Sequence, residues 1–96
     1  MEAYKKQIDY FLIEMQHEKE SNHEPLTKVL NFEYYNGKLY GLYTIAEKEL
    51  TPEAFTELYE YNRATRENLY TFFNAEYINP LYNIARKYTK GAHFTK

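Results

Sequence analysis

Apolar residues recur along this chain at the spacing of helices. Over residues 2–20, Tyr4, Ile8, Phe11, Leu12 and Met15 fall on one face, with Tyr10 and Ile13 widening it. Lys5, Lys6, Asp9, Glu14 and Glu18 take the other side. That 3.6-residue period predicts an amphipathic helix. Ser21, Asn22, His23, Glu24 and Pro25 break it, and a proline there suits the first turn of a second helix.

Residues 26–48 carry two conflicting signals. Asn36-Gly37, flanked by Phe, Tyr, Val, Thr and Ile, is a strong hairpin signature, because both residues accept the positive φ of a tight turn. Yet Val29, Phe32, Tyr35, Leu39, Leu42 and Ala46 step by three and four straight through that pair. A helix must carry Gly37 and Gly41 at roughly 1 kcal/mol each relative to alanine. A hairpin must leave both faces of Leu39–Ala46 apolar with no third strand to cover them, and a lone two-stranded hairpin is marginal. The helix is the favoured reading and the hairpin its alternative.

The next boundary is sharp. Thr51 is a good N-cap, Pro52 suits the first helical position, and Glu53 meets the positive end of the helix dipole. Leu50 and Phe55 are spaced for a hydrophobic staple. Locally, LYTIAEKELTPEAFTELYE resembles the helix–turn–helix of SHOCT-type short domains, over about a fifth of the chain. It departs from them in having Lys48 and Glu49 where the turn glycine usually stands. The resemblance implies a helical hairpin and no function.

The stripe continues from Pro52 to Ile78 through Phe55, Leu58, Tyr59, Asn62, Leu69, Phe72, Phe73 and Tyr77. Its weak middle, Asn62 to Arg66, makes this one long helix or two with a bend. Asn79-Pro80 is expected to interrupt it. A short last helix over residues 80–90 then closes one end of the molecule, with Gly91 as its stop.

These elements predict a single domain over residues 1–96: an all-α, antiparallel bundle of three to four helices, the alternative being α+β with one hairpin at Asn36-Gly37. Composition adds a constraint. Aromatic residues make up 19%, as twelve Tyr and six Phe with no Trp. A core this small cannot hide all of them, so some tyrosine surface is expected at an interface. Tyr34, Tyr40 and Tyr43 fall off the predicted core stripe of the second helix and are the candidate partner-binding residues. The partner is expected to be a protein or a second copy of the chain.

No cysteine is present, which removes disulfides, thiolate metal sites and a cysteine nucleophile. The segment MEAYKKQIDYFLIEMQ is broken by Gln7, Asp9 and Glu14 and does not read as a secretory leader. A soluble cytoplasmic protein without membrane contact is the expectation. Glu14, His17, Glu18, Glu20, His23 and Glu24 are of metal-ligand type but match no standard spacing, so a solvated acidic helix end is expected and no metal. There is no G-x-S-x-G, and three glycines leave no phosphate loop, so neither a cofactor nor an enzyme is expected.

Charge is uneven. Residues 47–60 hold Glu47, Glu49, Glu53, Glu57 and Glu60 against Lys48, whereas Arg63, Arg66, Arg86, Lys87 and Lys90 make the later part basic. With Tyr82, Tyr88 and Phe94 interleaved, those cations suit phosphate contact and base stacking, although the net charge of −2 does not. The expected function is a small non-catalytic interaction or regulatory module, of the kind found as accessory proteins of bacterial phages or conjugative elements. Nucleic-acid binding through a basic C-terminal helix is the alternative.

Overall fold

The computed structural model describes residues 1–88. It comprises α1 (Glu2–Glu20), α2 (Pro25–Glu49), α3 (Pro52–Glu60), α4 (Arg63–Phe73), a π turn (Asn74–Ile78) and α5 (Asn79–Tyr88). No strand occurs among the described residues, so the chain is all-α. Because α4, the π turn and α5 are continuous, four helical rods result.

Asn36-Gly37 lies in the middle of α2, and neither described glycine has a positive φ. The reason is burial. Phe32, Leu39, Tyr43 and Ala46 lie on the inner face of α2 and are almost wholly enclosed. A fully buried Phe or Leu stabilises by about 1.5–3 kcal/mol, so a few of them outweigh two helical glycines.

α2 is the spine. α1 runs antiparallel to it: Tyr4 at the start of α1 donates a hydrogen bond to Glu49 at the end of α2. At the far end, Lys28 Nζ donates to the Lys19 carbonyl oxygen over 3.2 Å. α4 lies against both and runs parallel to α1. Asn62 reaches Asp9 at one end, and the Lys19 ammonium sits 4.6 Å from the Phe72 ring centre at the other. Ile8, Leu12, Met15, Phe32, Leu39, Leu69 and Phe73 form the core, with Phe73 stacked on Phe32 at 4.3 Å between ring centres. α3 packs across the C-terminal half of α2, its Leu58 fully buried and its Tyr59 5.1 Å from Tyr43.

The helix boundaries have local causes. Thr51 Oγ1 accepts from the Ala54 amide at 3.2 Å, with Pro52 in the first turn, as the sequence predicts. The weak middle of the third segment is a full break: Asn62 has φ 55°, a left-handed conformation that asparagine tolerates better than most residues.

Three expectations need correction. Asn79-Pro80 does not end the helix. Proline clashes with the carbonyl four residues earlier and donates no hydrogen bond. The π turn immediately before α5 widens the backbone there, and Pro80 is carried through. Consequently α5 prolongs α4 and does not fold back to close one end. Glu18, placed on the solvent side of α1 by the pattern, is buried.

The result is a flat molecule of 46 × 34 × 18 Å with a radius of gyration of 15.9 Å. A compact domain of this length has a radius of about 12–13 Å. Much of α2 and α5 therefore has neighbours on one side only.

Candidate functional site

The outward side of α2 is the most distinctive surface. It exposes Leu26, Leu30, Tyr34 and Ile45 beside polar Thr27, Lys38, Thr44 and Lys48, and Gly37 and Gly41 lie among them. A Cβ added at either glycine meets nothing within 4 Å. The isolated fold therefore has no packing need for glycine at these positions. Beside Gly41 a groove of about 420 Å³ opens between α1 and α2, lined by Tyr4, Gln7, Phe11, Lys38, Leu42 and Ile45. Tyr10, Tyr35 and Tyr34 stand along the same α1–α2 side in edge-to-face contact, 6.2 and 5.1 Å between ring centres. The Lys38 ammonium lies 4.8 Å from the Tyr34 ring centre.

The three candidate tyrosines part company. Tyr34 is exposed on this outer face. Tyr40 is half-exposed but looks the other way, into a cavity between α2 and α4. Tyr43 is a correction: it is 4% exposed and belongs to the core. The inner face of α2 is wider than the predicted stripe, because α3 covers the flank that carries Tyr43, bringing Phe55 and Tyr59 against it. Burial pushes the Tyr43 hydroxyl above its ordinary pKa, and the charge and hydrogen bond of Arg66 only partly offset this.

Arg66 is the second correction. Only 6% exposed, it is not a surface cation. Its Nη1 donates to the Tyr43 hydroxyl and, over 3.0 Å, to the Tyr59 carbonyl oxygen. Its guanidinium carbon lies 4.4 Å from the Tyr59 ring centre and 5.2 Å from that of Tyr43. Arg63 is exposed but engaged, with Nη1 3.1 Å from Glu60 and Nε 3.0 Å from Glu67. Those two carboxylates hold its pKa above the ordinary value. Arg86 and Lys87 are exposed on α5. Lys90, like Gly91 and Phe94, lies outside the described residues. The four described cations thus do not form one stripe, since Arg66 is buried and Arg63 is paired.

Glu18 explains the acidic end of α1. Its carboxylate accepts from His23 Nδ1 at 2.6 Å and from the Ser21 hydroxyl at 3.3 Å. Burial pushes its pKa up, but hydrogen bonds from His23, Asn31 and Ser21 and the charge of His23 outweigh burial and hold it below the ordinary carboxylate value. These contacts pin the α1–α2 turn. Among the described residues no three His, Asp or Glu side chains converge into a potential metal site. No helix there is long and apolar enough to cross a membrane.

Sequence reasoning missed the outer face of α2 as a unit. The available signal was a pair of glycines one turn apart within a helical period. Comparison with known proteins adds nothing to these observations: no family model, curated protein or solved structure matches the chain.

Proposed function

We propose that the protein is a non-catalytic interaction module that self-associates through the outward face of α2. The observation that carries this reading is the pair Gly37 and Gly41, set among exposed Leu30, Tyr34 and Ile45 and unexplained by the packing of the single chain. Glycine in a helix costs about 1 kcal/mol relative to alanine. Close approach of another helix is a physical use for the missing side chains.

The face is complementary to itself. Its N-terminal half carries the bulk of Leu30 and Tyr34, and its C-terminal half carries the notch at Gly41. In an antiparallel pair about a two-fold axis between Gly37 and Lys38, Tyr34 stands opposite Gly41 of a second copy, and Leu30 opposite Ile45. Such an isologous contact is the commonest way for small soluble chains to associate. A flat molecule with a thin core gains most from it. The nucleic-acid reading has less support, since Arg63 is occupied by two carboxylates and Arg66 is buried.

Sedimentation equilibrium across a concentration series tests this. Reversible dimer is expected, and Gly41→Leu, which fills the notch, should shift it to monomer with its helical circular dichroism intact. A wild-type chain that stays monomeric into the millimolar range would overturn the reading.

A further inference from the structure

Among the described residues, Arg66 is a buried cation without an anionic partner. None of the ion pairs among the described residues includes it. Removing a guanidinium from water is strongly unfavourable unless charge and hydrogen bonds compensate. Here two tyrosine rings and two acceptors do so in part, and both acceptors are served by the same nitrogen, Nη1. Guanidinium has five N–H donors in a planar fork. The Nη2 and Nε donors of Arg66 have no hydrogen-bond acceptor among the described residues, although no buried side-chain polar atom is left unsatisfied. Those donors therefore keep access to solvent, and the space Arg66 lines is the cavity between α2 and α4.

That cavity measures about 300 Å³ and is also lined by Asn36, Tyr40, Tyr59, Glu67, Tyr70 and Thr71. Tyr40 and Tyr70 are 47% exposed and Tyr59 is 37% exposed, so rings as well as hydroxyls are available on its walls. The open edge of a guanidinium matches a carboxylate in a two-pronged hydrogen bond. Ring walls favour a flat ligand by stacking. Glu67 on the rim is paired with Arg63 at 3.0 Å, but an exposed pair of this kind screens its charge only in part, so it still disfavours a dianion such as a phosphate monoester and leaves room for a single negative charge.

We infer that the cavity between α2 and α4 binds a small aromatic monocarboxylate, its carboxylate on the free edge of Arg66 and its ring against the tyrosine walls. The site lies on the opposite flank of α2 from the groove beside Gly41, so it is independent of self-association. The volume suits a ligand of one or two rings.

The test is an NMR titration of the full chain with sodium benzoate, beside benzamide as the uncharged isostere and inorganic phosphate as the dianion. Benzoate should give saturable shifts of the Arg66 Nε–Hε and Tyr70 resonances, with a Kd on the order of 1 mM for so small a fragment. Benzamide and phosphate should bind at least about tenfold more weakly, as expected when the paired charge is lost or doubled. Glu67→Gln should tighten benzoate about threefold by removing a like charge and releasing Arg63 from its pairing. Tyr70→Ala should weaken it about fivefold by removing a wall. Both residues are exposed, so neither variant threatens the core as Arg66→Met would. Absence of saturable shifts, equal binding of benzamide, preference for phosphate, or indifference to both substitutions would each overturn the assignment.

Discussion

The side-chain amide of Asn62 donates to Asp9 Oδ1 over 2.6 Å, and so ties the positive-φ residue between α3 and α4 to the middle of α1. The Tyr61 hydroxyl donates to the other oxygen of the same carboxylate at 3.0 Å. One acid thereby fixes where the chain turns from α3 into α4. Asn62→Ala should destabilise by about 2 kcal/mol, from the lost bond and the left-handed backbone. Asn62→Gly should lose less, because glycine accepts that conformation freely. Urea denaturation of the two variants gives the ranking, and the reverse order would mean that backbone strain does not matter here. The bond to Asp9 also raises the Tyr61 pKa, so Asp9→Asn should bring the Tyr61 ultraviolet titration back toward about 10.

Gly41→Ala should act in opposite directions on two readouts. It should stabilise the single chain by about 1 kcal/mol, since the new methyl meets no neighbour and helix propensity rises. It should weaken self-association, because the methyl fills part of the notch. Thermal melting at low concentration and sedimentation at high concentration separate the two effects. Stabilisation without loss of association would place the interface elsewhere.

The proposed two-fold axis also brings Lys38 close to its own symmetry mate. Like charges repel and salt screens them, with a Debye length of about 10 Å at 0.1 M. Association should therefore strengthen between low and moderate ionic strength, and a dimer that dissociates with salt would contradict this geometry.

Phe32 and Phe73 stack at 4.3 Å and both are fully buried. Truncating either to alanine should cost about 3–5 kcal/mol. The double variant should lose less than the two single losses combined, because the two rings pack directly on each other. A double-mutant cycle in guanidinium measures that coupling, and strict additivity would show that the stack contributes nothing beyond burial.

Glu18 makes stability sensitive to acid. Its folded pKa lies below the ordinary carboxylate value of about 4.3. Its contribution is therefore complete above that value and is lost as pH falls through the lower, folded one. Glu18→Gln should destabilise by about 1–2 kcal/mol at pH 7. The gap between wild type and variant should narrow as pH falls below the ordinary carboxylate value, as denaturant midpoints at pH 7 and in acid would reveal.

Much of the fold was legible because helical periodicity reports burial. Val29, Phe32, Tyr35, Leu39, Leu42 and Ala46 decided α2 against the local turn preference of Asn36-Gly37. Thr51 and Pro52 marked the start of α3 by backbone chemistry alone. What stayed hidden depends on neighbours distant in sequence. Tyr43 and Arg66 read as surface residues on their own helices, and only the packing of α3 and α4 on α2 encloses them together. Glu18 needed His23 and Asn31 beside it before burial became tolerable. The path through Pro80 was not legible either, because a π turn has no strong sequence signature.

The helical setting of Asn36-Gly37 has a consequence for chemical ageing. An Asn-Gly pair deamidates when the glycine amide nitrogen swings onto the asparagine side chain and closes a succinimide ring. In α2 that nitrogen is committed to the helix hydrogen-bond ladder, and its backbone angles hold it away from the side chain. Asn36 should persist in the folded chain and deamidate once α2 opens, so the deamidated fraction, followed by mass spectrometry over weeks, becomes a slow clock of local unfolding.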